Sequence, residues 1–134
     1  MRWLKLGGFG IGTLLTIAFG GISVVASKQA EQLVYHPPAE RSPLEESPAD
    51  YDIDYKDVAL TTSDGFNLAA WYIPSQNGAA VIAQHGYLSD RSGMLLEAGM
   101  LVRHGYGVIM VDLRAHGNSD GKLITFGKKE VLDV

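Results

Sequence analysis

Apolar and polar positions change rhythm several times along this chain. From Leu6 to Ala26 no charged residue occurs. Twenty-one such residues at 1.5 Å rise span about 30 Å, the hydrocarbon thickness of a bilayer, so the run predicts one transmembrane helix. Residues 29–54 break that pattern with Pro37, Pro38, Pro43 and Pro48 among Glu31, Glu40, Glu45, Glu46, Asp50, Asp52 and Asp54. This reads as a solvated acidic spacer. Asp57 to Thr62 then alternates with period two, Ser63-Asp64-Gly65 supplies turn residues, and Asn67 to Ile73 returns, which predicts an antiparallel hairpin. Two unbroken apolar runs follow, in Ala79–Gly86 and Gly107–Leu113, as expected of strands covered on both faces of a parallel sheet. Between them Ser92 to His104 reads as one helix, with His104-Gly105-Tyr106-Gly107 as its glycine stop. Thr125 is the expected N-cap of a last helix, Gly127 to Val134.

The expected fold is therefore α/β: a hairpin leading into a mostly parallel sheet with flanking helices, preceded by one transmembrane helix. Residues 1–28 form the anchor, 29–54 the linker and 55–134 a domain with too few parallel strands to cover both faces of its sheet. It reads as the N-terminal portion of a protein about twice as long.

Charge sharpens the picture. The net charge is −4, but Arg2, Lys5 and Lys28 give residues 1–28 a charge of +3, leaving −7 for the rest. Nucleic acid needs a basic face, so it is excluded as a partner. Positive residues ahead of the apolar run place the N-terminus in the cytoplasm and the soluble part across the bilayer. Val24-Val25-Ala26 also fits a signal cleavage site, whose use would give a secreted product. Gly8 and Gly12 have the spacing that lets two membrane helices approach closely. The absence of cysteine excludes a disulfide framework, thiolate zinc and a cysteine nucleophile. His36, His85, His104 and His116 share no metal-ligand spacing, and neither strand precedes a glycine-rich phosphate loop. No metal or cofactor is expected.

The chemistry lies at the two strand ends. The first ends in His85-Gly86-Tyr87 and the second in Asp112-Leu113-Arg114-Ala115-His116-Gly117-Asn118-Ser119-Asp120-Gly121. Read from the residues alone, His85-Gly86 is a turn with a hydrogen-bonded histidine. Asp112 and Arg114 form an ion pair across their loop, with His116 joining them. At this mutual spacing the two loops resemble the His-Gly-X and Asp-x-Arg-x-His-Gly-x-Ser loops of the α/β-hydrolase superfamily, over residues 55 to 134. Among its members the chain is similar to membrane-anchored serine hydrolases and esterases.

That resemblance implies an acyl substrate, either a small molecule or a peptide, with the Tyr87 backbone N–H as one oxyanion donor. It also implies that His85, Gly86, Asp112, Arg114 and His116 support the loops. The family's nucleophile, acid and catalytic histidine come later in the chain order. Gly117-Asn118-Ser119-Asp120-Gly121 matches the G-x-S-x-G pattern, but an elbow needs a strand running straight into its first glycine and a helix leaving after the serine. Ser119 is therefore expected to be a loop residue bonded to nearby backbone. Two other readings stand beside the serine hydrolase: an aspartate-nucleophile hydrolase of the same fold, and a non-catalytic membrane-tethered or truncated domain.

Overall fold

The computed structural model describes residues 3–34 and 43–134, with side chains described for 12–32 and 43–134. His36, Pro37, Pro38 and Glu40 of the expected spacer lie outside the described residues. The chain divides into two compact units, one ending at Val34 and the other holding the remainder.

The first unit is a single helix, α1 (Trp3–Val34). It continues past Lys28 into residues assigned by sequence to the spacer. Gly12–Gln32 is long and apolar enough to cross a membrane, with a mean hydropathy of 1.2, and a signal sequence would meet the same criterion. Two of its hydroxyls are satisfied inside the helix: Thr16 Oγ1 donates to the Gly12 carbonyl at 2.8 Å and Ser27 Oγ to that of Val24 at 3.0 Å. Such back-bonding removes the cost of an unpaired hydroxyl in an apolar medium.

The second unit contains β1 (Lys56–Thr61), β2 (Asn67–Ile73), β3 (Ala80–Gln84), α2 (Leu95–Arg103) and β4 (Gly107–Val111). Its sheet has the order β1-β2-β4-β3. β2 runs antiparallel to both β1 and β4, whereas β3 and β4 are parallel, with Ala83 beside Met110 and Gln84 beside Val111. A parallel pair needs a crossover, and α2 supplies it. The α/β class and the hairpin expected from sequence are both present.

Pleating sends alternate side chains to opposite faces. Trp71, Ile73, Ala83, Val108 and Met110 meet Leu95 and Ala98 of α2, with Leu44, Ile53 and Tyr55 packed against the same cluster. Leu68, Ala70 and Val111 form a smaller cluster with Val58 and Ile109 on the other face. Each large apolar side chain buried this way contributes about 1.5–3 kcal/mol.

Three local expectations are corrected. The predicted helix Ser92–His104 is a 3₁₀ turn, Arg91–Met94, leading into α2. Asp90 caps that turn, accepting from the Ser92 N–H at 2.8 Å, and Gly93 follows where an α-helix would disfavour it. The glycine stop is present: Gly105 has φ +82°, its N–H donates to the Val102 carbonyl and that of Tyr106 to the Leu101 carbonyl, the Schellman arrangement. Among the described residues β3 is not covered on both faces, since Ile82 remains 55% exposed, and it is also the edge strand of the sheet. The helix expected over Gly127–Val134 is instead a run of turns ending in one 3₁₀ turn, Glu130–Leu132. Phe126 and Gly127, with φ of +51° and +99°, cannot start a right-handed helix.

Candidate functional site

Because β3 and β4 are parallel, both deliver their carboxyl ends to one side of the sheet, where open α/β sheets place their ligands. His85 emerges there, 4% exposed. The Leu113 N–H donates to its Nε2 at 3.1 Å, and its Nδ1 lies 2.8 Å from the Gly86 carbonyl oxygen. A ring nitrogen that accepts carries no proton, so His85 is the neutral Nδ1–H tautomer and donates to Gly86. The consequence is local and specific. The Gly86 carbonyl and the Tyr87 N–H belong to one planar peptide unit and point in opposite directions. By tying down the carbonyl from a ring anchored on the β4 loop, His85 fixes the direction of the Tyr87 N–H.

Tyr87 itself is 43% exposed, with its ring 5.1 Å from that of Phe126. Leu88 follows at φ +60° and the Ser89 N–H donates to the Gly86 carbonyl, completing a tight turn that leads to Asp90.

Asp112 does not pair with Arg114. It is fully buried, with Oδ1 accepting from the Arg91 N–H at 2.6 Å and Oδ2 from Arg91 Nη1 at 3.2 Å and the Asn118 N–H at 2.9 Å. Arg91 in turn lies over the Trp71 ring at 4.5 Å. Arg114 turns the other way, onto Asp133 and Asp64. Its Nε and Nη2 reach Asp133 Oδ1 at 2.8 and 2.7 Å, and Nη1 and Nη2 reach the two Asp64 oxygens at 2.9 and 3.1 Å. The expected pair fails because Asp112 is claimed by the loop after β3, and Arg114 ties the hairpin turn to the C-terminal segment. The Arg114 guanidinium brings the Asp64 carboxyl down to about 2, with the Thr62 hydroxyl assisting.

The C-terminal segment is held by a second buried carboxylate. Burial opposes ionisation of Glu130, yet the Thr125 N–H, the Thr125 hydroxyl and the Gly127 N–H it accepts bring it down to about 2. These bonds fix Phe126, between Thr125 and Gly127, beneath Tyr87.

His116 is 7% exposed, and its ring lies 4.9 Å from that of His85 in an edge-to-face arrangement. Its Nδ1 is 2.9 Å from the Arg114 carbonyl oxygen, while Nε2 is buried with no hydrogen-bond partner among the described residues. Burial pushes its pKa below the ordinary 6.5, against the pull of the Arg114 backbone carbonyl and the Asp112 and Glu130 carboxylates. Ser119 is buried in the loop after β4. Its hydroxyl donates to the Asp112 carbonyl at 2.6 Å and accepts from the Ala69 N–H at 2.8 Å, so it stitches this loop to β2.

Sequence reasoning placed His85, Gly86, Tyr87 and His116 at these strand ends. It missed Arg91, Asp64, Glu130 and Asp133 as the partners that hold the loops; none falls in either loop pattern. Among the described residues no group of three or more His, Asp or Glu side chains has metal-binding proximity. A depression of about 370 Å³ lined by Asp52, Ile53, Ile73 and Val102 lies where β4 begins, away from these loops.

This mixed sheet, with paired loops at the carboxyl ends of β3 and β4, matches hydrolases of the α/β class. No protein-family model matches the chain. The Pyrococcus furiosus esterase Pf2001 is similar at 41% identity and a TM-score of 0.67 in one crystal form, covering 72% of this chain and 39% of the esterase. A second crystal form of it gives 40% and 0.65. An uncharacterized protein of Mycobacterium tuberculosis is 33% identical over 111 residues, 79% of this chain and 37% of its own length. Another from that organism is 30% identical over 114 residues. The chain thus spans less than two fifths of the length of the relatives it matches. The identity to esterase structures supports the α/β-hydrolase superfamily.

Proposed function

We propose that residues 55–134 are the N-terminal part of an esterase-like serine hydrolase held at a membrane by α1, with the domain across the bilayer from a cytoplasmic N-terminus. In this reading the Tyr87 N–H donates to the oxyanion that develops when an ester or amide carbonyl is attacked. The attacking serine, its histidine and the orienting acid lie outside these 134 residues. The observation that carries the reading is the His85 bridge. A buried imidazole held by Leu113 and bonded to the Gly86 carbonyl pre-orients one N–H, and catalysis by oxyanion donors depends on such preorganisation. Asp112, Arg114 and His116 act as loop supports.

The test is labelling with a fluorophosphonate, which reacts covalently with activated serines, on carbonate-washed membranes of cells that make this protein. The expected adduct is a serine in the same polypeptide but outside residues 1–134. An adduct on Ser119, or a polypeptide containing residues 55–134 that takes no label, would reject the serine-hydrolase reading. Recovery of the protein as a soluble species beginning near Ser27 would make α1 a cleaved signal and leave the hydrolase reading intact.

A further inference from the structure

The connection from β2 to β3 closes on an asparagine–glycine pair, Asn77-Gly78. It lies at the amino ends of β3 and β4, the end of the sheet opposite His85. Both residues are exposed. Gly78 has φ +85°, a left-handed backbone that favours glycine, and a Cβ there would meet nothing within 4 Å, so its peptide is open to water. The Asn77 side chain joins two turns. Its Oδ1 accepts from the Ala79 N–H at 2.9 Å, and its Nδ2 donates to the His104 carbonyl at 3.0 Å. An N–H partner on one atom and a carbonyl on the other settle which end of the amide is which. The bond to Ala79 is an Asx turn, and it folds the side chain back over the intervening Gly78 peptide. A carboxamide carbon held beside a glycine nitrogen, with no side chain to shield it, is an arrangement in which the chain can attack itself.

We propose that Asn77-Gly78 is a self-modification site, at which the Gly78 nitrogen displaces ammonia from the Asn77 carboxamide, and that the Ser75 hydroxyl holds the reaction back. In the first step the Gly78 nitrogen loses its proton and bonds to Asn77 Cγ. The Cγ–Nδ2 bond breaks, and Nδ2 leaves as ammonia, taking up the proton. Water then opens the cyclic imide, giving either aspartate or the isomer whose main chain runs through Cγ. The chain gains one negative charge, and water is the only other reactant. Two bonds oppose the first step. The attacking N–H donates to Ser75 Oγ at 2.9 Å, so the Gly78 peptide must leave Ser75 before it can turn onto Cγ. The leaving nitrogen is tied to His104. Ser75 is itself half-buried, and its hydroxyl lies 3.3 Å from Asn77 Oδ1 and 3.4 Å from the Gly105 carbonyl oxygen, which anchors it in the accepting position. The product has a structural consequence. A carboxylate has no N–H for the His104 carbonyl, so two acceptors face each other and the clip between the turns is lost. The bonds beside that clip run from the Gln76 and Asn77 N–H groups to the Gly105 carbonyl, at 2.8 and 3.0 Å, and from the Gly107 N–H to the Ala79 carbonyl at 2.9 Å. Modification of Asn77 therefore loosens the turn between α2 and β4, and does so irreversibly.

The experiment incubates the intact chain in detergent micelles and mildly alkaline buffer, with and without urea. Peptide mass spectrometry follows the exchange of ammonia for water at Asn77, and enzymatic methylation of isoaspartate identifies the rearranged product. Conversion at Asn77 is expected in urea, and several-fold more slowly in the folded chain. Ser75→Ala should raise the folded rate several-fold and leave the urea rate unchanged, whereas Ser75→Thr, which keeps a hydroxyl, should stay close to wild type in both. Asn77→Asp stands in for the aspartate product and should speed hydrogen exchange at the Gln76 and Gly107 amides. No conversion in urea, equal wild-type rates with and without urea, a folded Ser75→Ala rate equal to that of wild type, or unchanged exchange in Asn77→Asp would overturn the proposal. The comparison with and without urea uses the unaltered chain, so it remains decisive even if Ser75→Ala fails to fold.

Discussion

Asp112→Ala should be among the most damaging single changes in the β-unit. The carboxylate is fully buried and accepts from two backbone N–H groups, those of Arg91 and Asn118, and from Arg91 Nη1. Removing one partner of a buried ion pair costs about 3–5 kcal/mol because the other charge stays buried. Each N–H left without an acceptor costs about 1–3 kcal/mol more. These terms overlap, since relaxation that rescues one group rescues its neighbours. Arg91 also keeps its place over Trp71 at 4.5 Å and a weak contact with Asp57 at 3.8 Å. A net loss of about 4 kcal/mol is therefore expected, against the 5–15 kcal/mol of total stability usual for a domain. Asp112→Asn keeps one acceptor oxygen but turns an amide N–H₂ toward donors, so it should fall between wild type and alanine. Urea unfolding of the intact chain in detergent micelles, followed by near-ultraviolet circular dichroism of the packed aromatics, measures both. An alanine variant within about 1 kcal/mol of wild type, outside the range for a broken buried pair, would refute the view that this carboxylate holds the two loops together.

Gly117→Ala should cost about 2–4 kcal/mol in the same assay, since φ is +43° and the new Cβ would overlap the Asp112 carboxylate. Glu130 has a folded pKa of about 2, below its ordinary 4.5. Its stabilisation is complete above pH 4.5 and fades as the pH falls toward 2, so Glu130→Gln should flatten the acid side of the stability profile by about 2–3 kcal/mol. The 134-residue chain alone should show no saturable turnover of p-nitrophenyl acetate, because a single oxyanion donor without a nucleophile and base is insufficient; turnover abolished by Ser119→Ala would overturn that. In the whole enzyme Tyr87→Pro, which removes the N–H, should lower kcat about 10²–10³-fold relative to Tyr87→Phe, which keeps it. Cooperative thermal unfolding of both variants makes the comparison valid.

The elements were legible where local signals agree with packing. Strand alternation, the Ser63-Asp64-Gly65 turn and the Gly105 stop all depend on residues close in sequence, and each appears in the structure. The last helix was misread because the deciding interaction is not a helical cap. Thr125 does accept from the Lys129 N–H at 2.8 Å, one residue beyond the N–H groups that an N-cap reaches. However, the Glu130 carboxylate gathers the Thr125 and Gly127 N–H groups and fixes a left-handed bend between them. A glutamate five residues ahead of its target has no signature in periodicity.

The same distinction explains the site. Motif spacing located the two loops, because their glycines and histidines must sit at strand ends whatever holds them there. It did not reveal which charge meets which. Asp112 and Arg114 are two residues apart, and in extended chain a spacing of two puts side chains on the same side, so sequence favoured pairing them. In the fold each meets a residue distant in sequence, Arg91 for one and Asp64 and Asp133 for the other. Those partners come from the β3 loop, the hairpin turn and the C-terminal segment. The two carboxylate–arginine systems thus fasten separate segments to the β4 loop, and their failure should be separable. Arg114→Lys loses the forked contacts to Asp64 and Asp133 and should loosen the hairpin turn and the C-terminal segment. Hydrogen exchange at Arg91 and Asn118 should then change less than in Asp112→Asn. Equal loss of protection at Arg91 in both variants would mean that the loops open as one unit.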